Sequence, residues 1–471
     1  MAINDNELDE MIEKSREKVV NIRDKRKKRG NLSRGCWWID NGEGKKPSFS
    51  YQLMAEYILQ EHHIVRYPNE DGELYVYDKN EGIYIKDKTY RRTKAIAYML
   101  DHVSEKDVND VKNYILSISD VKREVNTEYA VAKNGLIHYK TKEFIKFTPD
   151  IFVINKMPTN YNPDAYDEFI DQTINKVSCG HEPTIKNIHE MFAQVLYPKL
   201  LIDKILYLMG TKADNGKSTV THMIFATFDS GGQISSVSPQ RLANNNFAGS
   251  SIYGKMANIV DDLPNIEIED AGNIKTSVTG GNLEIEEKGK GSQTIRMQTP
   301  FIIASNHYPK FKESGQQINK RLHIIPFSHS FTGKGQLSVS ESTKYIYSDN
   351  AKEYVLKLAV DMLAEMLQRS GSYITENDRS DRSLELFKDN NNPLSEYLEN
   401  KDINYFLTTP GSFIYTDYKA WCKSNYVWNP VDKSDFKILI ENQFGIEWKK
   451  SVRYKNFGIK AGFSNKKWLH R

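Results

Sequence analysis

Residues 205–220, ILYLMGTKADNGKSTV, constrain this chain more than any other stretch. The apolar run Ile205 to Met209 predicts a short buried strand. A polar loop follows and closes on Asn215, Gly216, Lys217, Ser218 and Thr219. Beyond it, VTHMIFATF predicts a helix carrying an apolar face. Strand, glycine-containing loop ending in Gly-Lys-Ser, then helix: this is the context a phosphate-binding loop requires. Successive backbone N–H groups and a helix N-terminus form a nest for phosphate oxygens. In such a loop Lys217 reaches the β- and γ-phosphates of a nucleotide, and Ser218 sets its hydroxyl on Mg²⁺. The spacing is irregular, because five residues separate Gly210 from Gly216. The usual pattern has about four. Either the loop is one residue longer, or Thr211 stands where the first glycine is expected.

Three apolar strands downstream add chemistry to that loop. MANIVDDLP, residues 256–264, predicts a buried strand ending in Asp261 and Asp262, about 45 residues after Lys217. One carboxylate there can hold Mg²⁺ through water, and the other can orient or deprotonate an attacking water. TPFIIASNHYP, residues 299–309, predicts a strand ending in Asn306. A neutral amide can hydrogen-bond water or a γ-phosphate without repelling it. INKRLHIIPF places Lys320 and Arg321 just before a further apolar strand, where a cation can reach a neighbouring subunit's nucleotide. Between these, LEIEEK and QTIRMQ predict a hairpin around Gly289-Lys290-Gly291. A flexible lysine at such a tip suits a backbone phosphate better than a base edge.

The rest of the chain divides around this core. Its 471 residues allow two or three domains, and a 39% hydrophobic fraction can fill their cores. No run of eighteen apolar residues predicts a membrane span, and the N-terminus lacks the apolar centre of a signal peptide. Three distant cysteines, Cys36, Cys179 and Cys422, give neither a disulfide framework nor a zinc pattern, so a reducing cytoplasm is expected. Residues 1–34 turn from acidic to basic and predict a polar arm. Residues 35–155 alternate short strands and helices, including hairpins in ELYVYDKNEGIYIK and VAKNGLIHYKTKEFIKFTP, and predict a small α+β accessory domain. Residues 156–204 hold two amphipathic helices, a collar before the core. SVSPQRLANNNFAGSSIYGK predicts loop, ESTKYIYSDNAKEYVLKLAVDMLAEML one helix, and SGSYITENDRSDRSLELFKDNNNP a helix end plus linker.

Residues 390–471 predict three helices followed by a two-stranded hairpin, the pattern of a winged helix. From Asp417 onward there are twelve Lys and Arg against five Asp and Glu. That excess of positive charge suits duplex DNA. On this reading Lys433 and Lys437 lie on the recognition helix, and Lys449, Lys450, Arg453 and Lys455 on the wing. The tryptophans there are expected in the core rather than stacked on bases.

NGKST, IVDDLP, IKTSVTGGNLEIEEKGKG, IIASNHYP and NKRLHIIPF, in that order, resemble the superfamily 3 helicases, a branch of the AAA+ ATPases. The likeness is to the phage and plasmid primase-helicase type, and to the replication initiators of staphylococcal pathogenicity islands and related mobile elements. It covers residues 130–330 strongly and the flanks loosely. The resemblance implies an α/β fold with an AAA+ core over 205–389. It implies ATP and Mg²⁺ as cofactors, with Asn215, Gly216, Lys217, Ser218 and Thr219 on the nucleotide and Ser218 and Asp261 on the metal. Asp261 and Asp262 share the metal-water and catalytic roles in an order left open. Asn306 is the polar sensor and Arg321 an arginine finger acting on the adjacent subunit. Lys290, with Lys288, grips single-stranded DNA in a central channel. The implied partners are a homo-hexamer, single-stranded DNA, origin duplex and host replication proteins, with no membrane. No acidic metal-binding primase motif precedes the core, so no primer synthesis is expected. Two rival readings remain: another DNA-dependent AAA+ ATPase, for packaging or transposition, or a non-catalytic DNA-binding protein.

Overall fold

The computed structural model describes residues 34–67, 73–210, 214–263, 268, 271–286, 291–309, 311, 316–331, 339–390, 393–399, 401–425 and 430–465. The chain forms a mixed α/β structure in two compact units. One runs to His138 and resumes over Phe144–Lys156; the other comprises Tyr139–Glu143 and everything from Met157 onward.

In the first unit the elements run β1 (Trp38–Ile39), β2 (Ser48–Phe49), α1 (Tyr51–Glu61), β3 (Ile64–Tyr67), β4 (Glu73–Asp78), β5 (Ile83–Lys86), α2 (Arg91–Leu100), α3 (Glu105–Ile118), β6 (Asp120–Val121), β7 (Tyr129–Ala132), β8 (Gly135–His138) and β9 (Phe144–Ile145). The sheet order is β5-β4-β3-β6, with β7-β8-β9 as a second sheet. Caps set the helix starts: Ser50 accepts from the Leu53 N–H, and Ser104 and Asp107 form a reciprocal capping box. Met54, Ile58, Val108, Val111 and Ile115 recur at helical spacing and fill the core between α1 and α3. The hairpin expected in VAKNGLIHYKTKEFIKFTP gains a partner, since β9 pairs with β8.

In the second unit come α4 (Glu168–Val177), α5 (Glu182–Leu196), β10 (Ile205–Met209), α6 (Lys217–Phe228), β11 (Ile234–Ser235), α7 (Pro239–Asn244), α8 (Asn246–Ile252), β12 (Ala257–Val260), α9 (Gly272–Val278), β13 (Asn282–Glu286), β14 (Ser292–Arg296), β15 (Phe301–Ser305), α10 (Gln316–Asn319) and β16 (Leu322–Pro326). They continue with α11 (Val339–Ile346), α12 (Asp349–Met366), α13 (Asp378–Asn390), α14 (Pro393–Leu398), α15 (Ile403–Thr408), α16 (Gly411–Ser424), α17 (Lys433–Phe444), β17 (Ile446–Tyr454) and β18 (Gly458–Asn465). Five strands make a parallel sheet in the order β11-β12-β15-β10-β16. All five residues of β10 and of β15 are buried, as expected for parallel strands covered on both faces.

Several expectations from the sequence need correction. The stretch expected as loop after α6 contains α7 and α8, because Leu242, Ala248 and Ile252 have core positions to fill. The single helix expected over 341–367 is two, broken where Ser348 caps α12 by accepting from the Ala351 N–H. The expected linker around 378–390 is α13, whose Phe387 is fully buried in the sheet core, with Leu384 packed against it. Its polar composition hides one apolar stripe, and that stripe decides its packing. Among the described residues, the C-terminal region has four helices rather than three before its hairpin, since α15 buries Phe406 in a cluster with Tyr418, Phe436 and Phe463.

Candidate active site

Every strand of the parallel sheet points its carboxyl end the same way, so the residues that follow the strands gather along one edge. Such edges are where open α/β sheets bind ligands. Pairing of Met209 with Ser305, and of Val260 with Ile303, sets Gly210, Asp261 and Asn306 side by side there.

Lys217, the first residue of α6, is buried. Its ammonium donates to Asn306 Oδ1 at 2.7 Å, to Asn215 Oδ1 at 2.8 Å and to the Gly210 carbonyl at 3.5 Å. All three partners are neutral. Burial therefore pushes the ammonium pKa down, and Asp261 and Asp262 offset only part of that through their charge. Ser218 donates to Asp261 Oδ1 at 3.2 Å, and Thr221, one turn on, donates to Asp261 Oδ2 at 3.5 Å. Thr221 escaped the sequence reading; its signal was the i+3 spacing from Ser218, which puts both hydroxyls on one helix face.

Backbone geometry sets the start of α6. Gly216 is left-handed at φ 85° and, as the N-cap, supplies no side chain to α6, which leaves the first N–H groups of the helix without a side-chain cap at the sheet edge. A Cβ at Gly216 would meet Val177 at the end of α4 and Phe331 beyond β16. Phe331 also donates its backbone N–H to the Asp214 carbonyl at 2.7 Å. Asp214 and Asp262 both adopt positive φ, 54° and 61°, strained for non-glycine residues and flanking the same edge. Thr219 continues α6, while Thr211 lies outside the described residues. Position 210 requires glycine for a local reason. A Cβ there would overlap the Asn215 amide, which folds back over Gly210 to reach Lys217.

Arg321 stands elsewhere. It precedes β16, whose first residue pairs with Ile205 and whose last pairs with Met209. It therefore sits at the amino edge of the sheet. The five residues of β16 span about 16 Å, beyond the reach of its side chain to Lys217 of the same chain. Its carbonyl accepts from the Ile205 N–H at 2.7 Å, and its guanidinium meets Asp203 at 3.4 Å, both groups partly exposed. Lys320 beside it is exposed.

A buried polar spine on α5 anchors β16, and nothing in an amphipathic reading of that helix foretold it. Asn187, Glu190 and Gln194 are all fully buried. Asn187 Oδ1 accepts from His323 Nε2 on β16 at 3.0 Å; burial lowers the His323 pKa to about 3 and keeps the ring neutral. Gln194 accepts from the Leu201 and Ile202 N–H groups at 2.8 Å, fixing the turn that leads to Asp203. Glu190 accepts from Arg369 at 2.6 Å and from the Thr375 N–H and hydroxyl. Arg369→Ala strands that carboxylate, and a stability loss of about 3 kcal/mol is expected in chemical denaturation. Arg369→Ala unfolding at the wild-type denaturant midpoint would contradict it.

The expected DNA-contacting residues fall in two places. Lys288 and Lys290 lie outside the described residues; β13 and β14, which flank them, pair antiparallel. Lys433 opens α17 and is exposed, whereas Lys437 lies over the Trp448 ring at 4.5 Å and Lys449 pairs with Glu447 at 2.6 Å. Lys450, Arg453 and Lys455 on the hairpin are exposed. His181, two residues after Cys179, has its Nε2 3.1 Å from Asp378. Among the described residues, no group of three His, Cys, Asp or Glu could hold a metal, and no helix is long and apolar enough to cross a membrane.

Residues 51–179 match a family described as D5 N terminal like, and residues 208–321 match a family of unknown function, DUF5906. Each match spans about a quarter of the chain. The second runs from β10 to Arg321 and so contains every residue of the sheet-edge cluster. No curated protein matches. Among solved structures, the A form apo structure of the NrS-1 C terminal region is similar at 14% identity and TM-score 0.51, covering 88% of this chain and 99% of that one. A second apo structure of that region (305–718) has 14% identity, TM-score 0.46 and coverages of 88% and 98%. The first likeness is one of fold.

Proposed function

We propose that this chain is an ATP-driven DNA motor that opens duplex at the start of replication of a phage- or plasmid-like element. The reading takes its ATPase part as an AAA+ core of superfamily 3 type and its C-terminal part as a duplex-binding winged helix. One observation carries it: Lys217 is shared between Asn215 and Asn306 at the sheet edge where Ser218 meets Asp261. Strand β15 separates β10 from β12, which sets a neutral amide between the cation and the carboxylates. The match of residues 51–179 to a D5 N-terminal-like family supports the replication setting.

The donor set fits a nucleoside triphosphate with a divalent cation. Lys217 is held only by neutral oxygens, which phosphate oxygens can replace, and the uncapped start of α6 offers N–H groups beside it. Ser218 and Asp261 offer one hydroxyl and one carboxylate, a set that suits Mg²⁺ completed by phosphate and water. When bound, the metal-nucleotide pair supplies an activated γ-phosphoryl group. Lys217 then neutralises charge on the phosphate oxygens, Asn306 orients the attacking water, and one of Asp261 and Asp262 takes its proton. Arg321 cannot join them within one chain, so a second copy brings it through a head-to-tail contact, which closes into a ring where the rotation between copies allows. A homo-hexamer is the ring proposed. Lys288 and Lys290 contact the translocating strand.

ATP turnover with and without single-stranded DNA, and strand displacement on a forked duplex, test the whole reading. Stimulated turnover with displacement is expected. Stimulated turnover without displacement would point to a packaging or transposition ATPase, and DNA binding without turnover to a non-catalytic protein. Gly210→Ala should displace Asn215 from Lys217 and lower kcat on the order of 10²-fold. Thermal melting would check that the fold is kept, and unchanged turnover would remove Asn215 from the site.

A further inference from the structure

The C-terminal hairpin carries apolar surface that neither core packing nor phosphate contact explains. Phe413, Phe457 and Ile459 are 54%, 39% and 60% exposed. Phe457 lies in the turn between β17 and β18, where its N–H donates to the Tyr454 carbonyl and Gly458 takes φ 69°. Its ring packs on Phe413 of α16, with centroids 5.2 Å apart. Ile459 stands directly opposite Arg453 across the hairpin. The packed pair Phe413 and Phe457 forms a contiguous exposed apolar patch, the kind of surface that marks an interaction site.

The hairpin is pinned along its length. At its base, Trp448 lies against Gly411, where a Cβ would overlap the indole. Midway, the Tyr454 hydroxyl fills the space over Gly462, which itself abuts the Gly411 backbone. At the tip, Phe457 rests on Phe413. All three contacts use the first turn of α16 or the residues beside it, so the apolar ridge is presented rigidly.

Charge says what covers it. Between Ile446 and Asn465 the cations are Lys449, Lys450, Arg453, Lys455 and Lys460, against the single acid Glu447. Glu447 pairs with Lys449. The other four are exposed and make no ion pair among the described residues. An apolar ridge ringed by exposed cations fits a groove walled by phosphates. Proteins that enter the minor groove insert Phe, Leu or Ile between base steps and unstack them. We infer that this hairpin is a wedge: Arg453, Lys455 and Lys460 seat it on the phosphates, and Phe457 with Ile459 pries a base step open. The inference rests on the duplex-binding reading above and adds a local unstacking activity to it, independent of ATP.

The experiment uses the full chain, an A·T-rich duplex carrying 2-aminopurine, and no nucleotide. Wild-type binding should raise the 2-aminopurine fluorescence. Phe457→Ala and Ile459→Ser should bind the same duplex within about threefold, because the electrostatic term is untouched, yet lose the fluorescence rise. Two variants guard against a misfolded tip, and thermal melting checks each. Lys455→Ala should weaken binding and flatten its salt dependence. If both apolar variants unstack the duplex as wild type does, the wedge is overturned. A simultaneous fall in assembled mass would assign the ridge to a contact between copies instead. If the wild type binds no duplex at all, the duplex reading itself fails, and the wedge with it.

Discussion

Lys217→Ala is expected to abolish ATP hydrolysis while the chain stays folded. The ammonium is the buried cation of the cluster, and its three partners are neutral oxygens. Its loss therefore leaves no buried charge behind. It unpairs two amide oxygens at the sheet edge, a cost of about 1–3 kcal/mol each at most. Catalysis loses far more, because Lys217 is, among the described residues, the cation held at the sheet edge where charge on the transferred phosphoryl develops. Phosphate release by the purified variant, beside its melting curve, makes the check. Turnover within tenfold of wild type in a folded variant would remove Lys217 from the chemistry and the phosphate-binding reading of the loop with it.

Arg321→Ala should lower turnover on the order of 10³-fold, the effect of losing an arginine finger. Little stability should go with it, since the pair with Asp203 is partly exposed and such pairs contribute about 0–1 kcal/mol. The position of Arg321 makes a sharper test possible. It lies at the amino edge of the sheet and Lys217 at the carboxyl edge. A finger so placed serves another copy's site. Mixing Arg321→Ala with Lys217→Ala chains should therefore restore turnover, as the intact arginine of one variant meets the intact lysine of the other. Absence of recovery in mixed assemblies would sink the trans assignment, and near-normal turnover by Arg321→Ala alone would sink the finger.

The parts of the site legible in the sequence were those encoded within a few residues. Ile205–Met209 announces a buried strand by its unbroken apolar run, and β10 occupies those residues. The same logic located β12, β15 and β16, each a short apolar run closed or opened by polar residues. Segments with a sparse apolar stripe were misread. Around 378–390 the charged residues outnumber the apolar ones, yet Phe387 at the sheet core decides that the segment is helix. The break at Ser348 was hidden because its side-chain cap competes with a helical pattern on both sides.

Legible from the sequence alone were four of the five parallel strands, β10, β12, β15 and β16, and the residue types that follow or precede each of them; β11, two residues long, was not. Periodicity and loop chemistry act over short range, so they are readable without a fold. Which residues meet which was set by the tertiary fold. Parallel strands pair at a distance, and the order β11-β12-β15-β10-β16 arises from burying both faces of the sheet at once. That order brings Asn306 to Lys217 across 89 positions, and the packing of α5 on β16 brings His323 to Asn187 across 136. Gly210 is glycine because Asn215 folds back over it to hold Lys217, a contact between residues five apart that the spacing alone could not reveal.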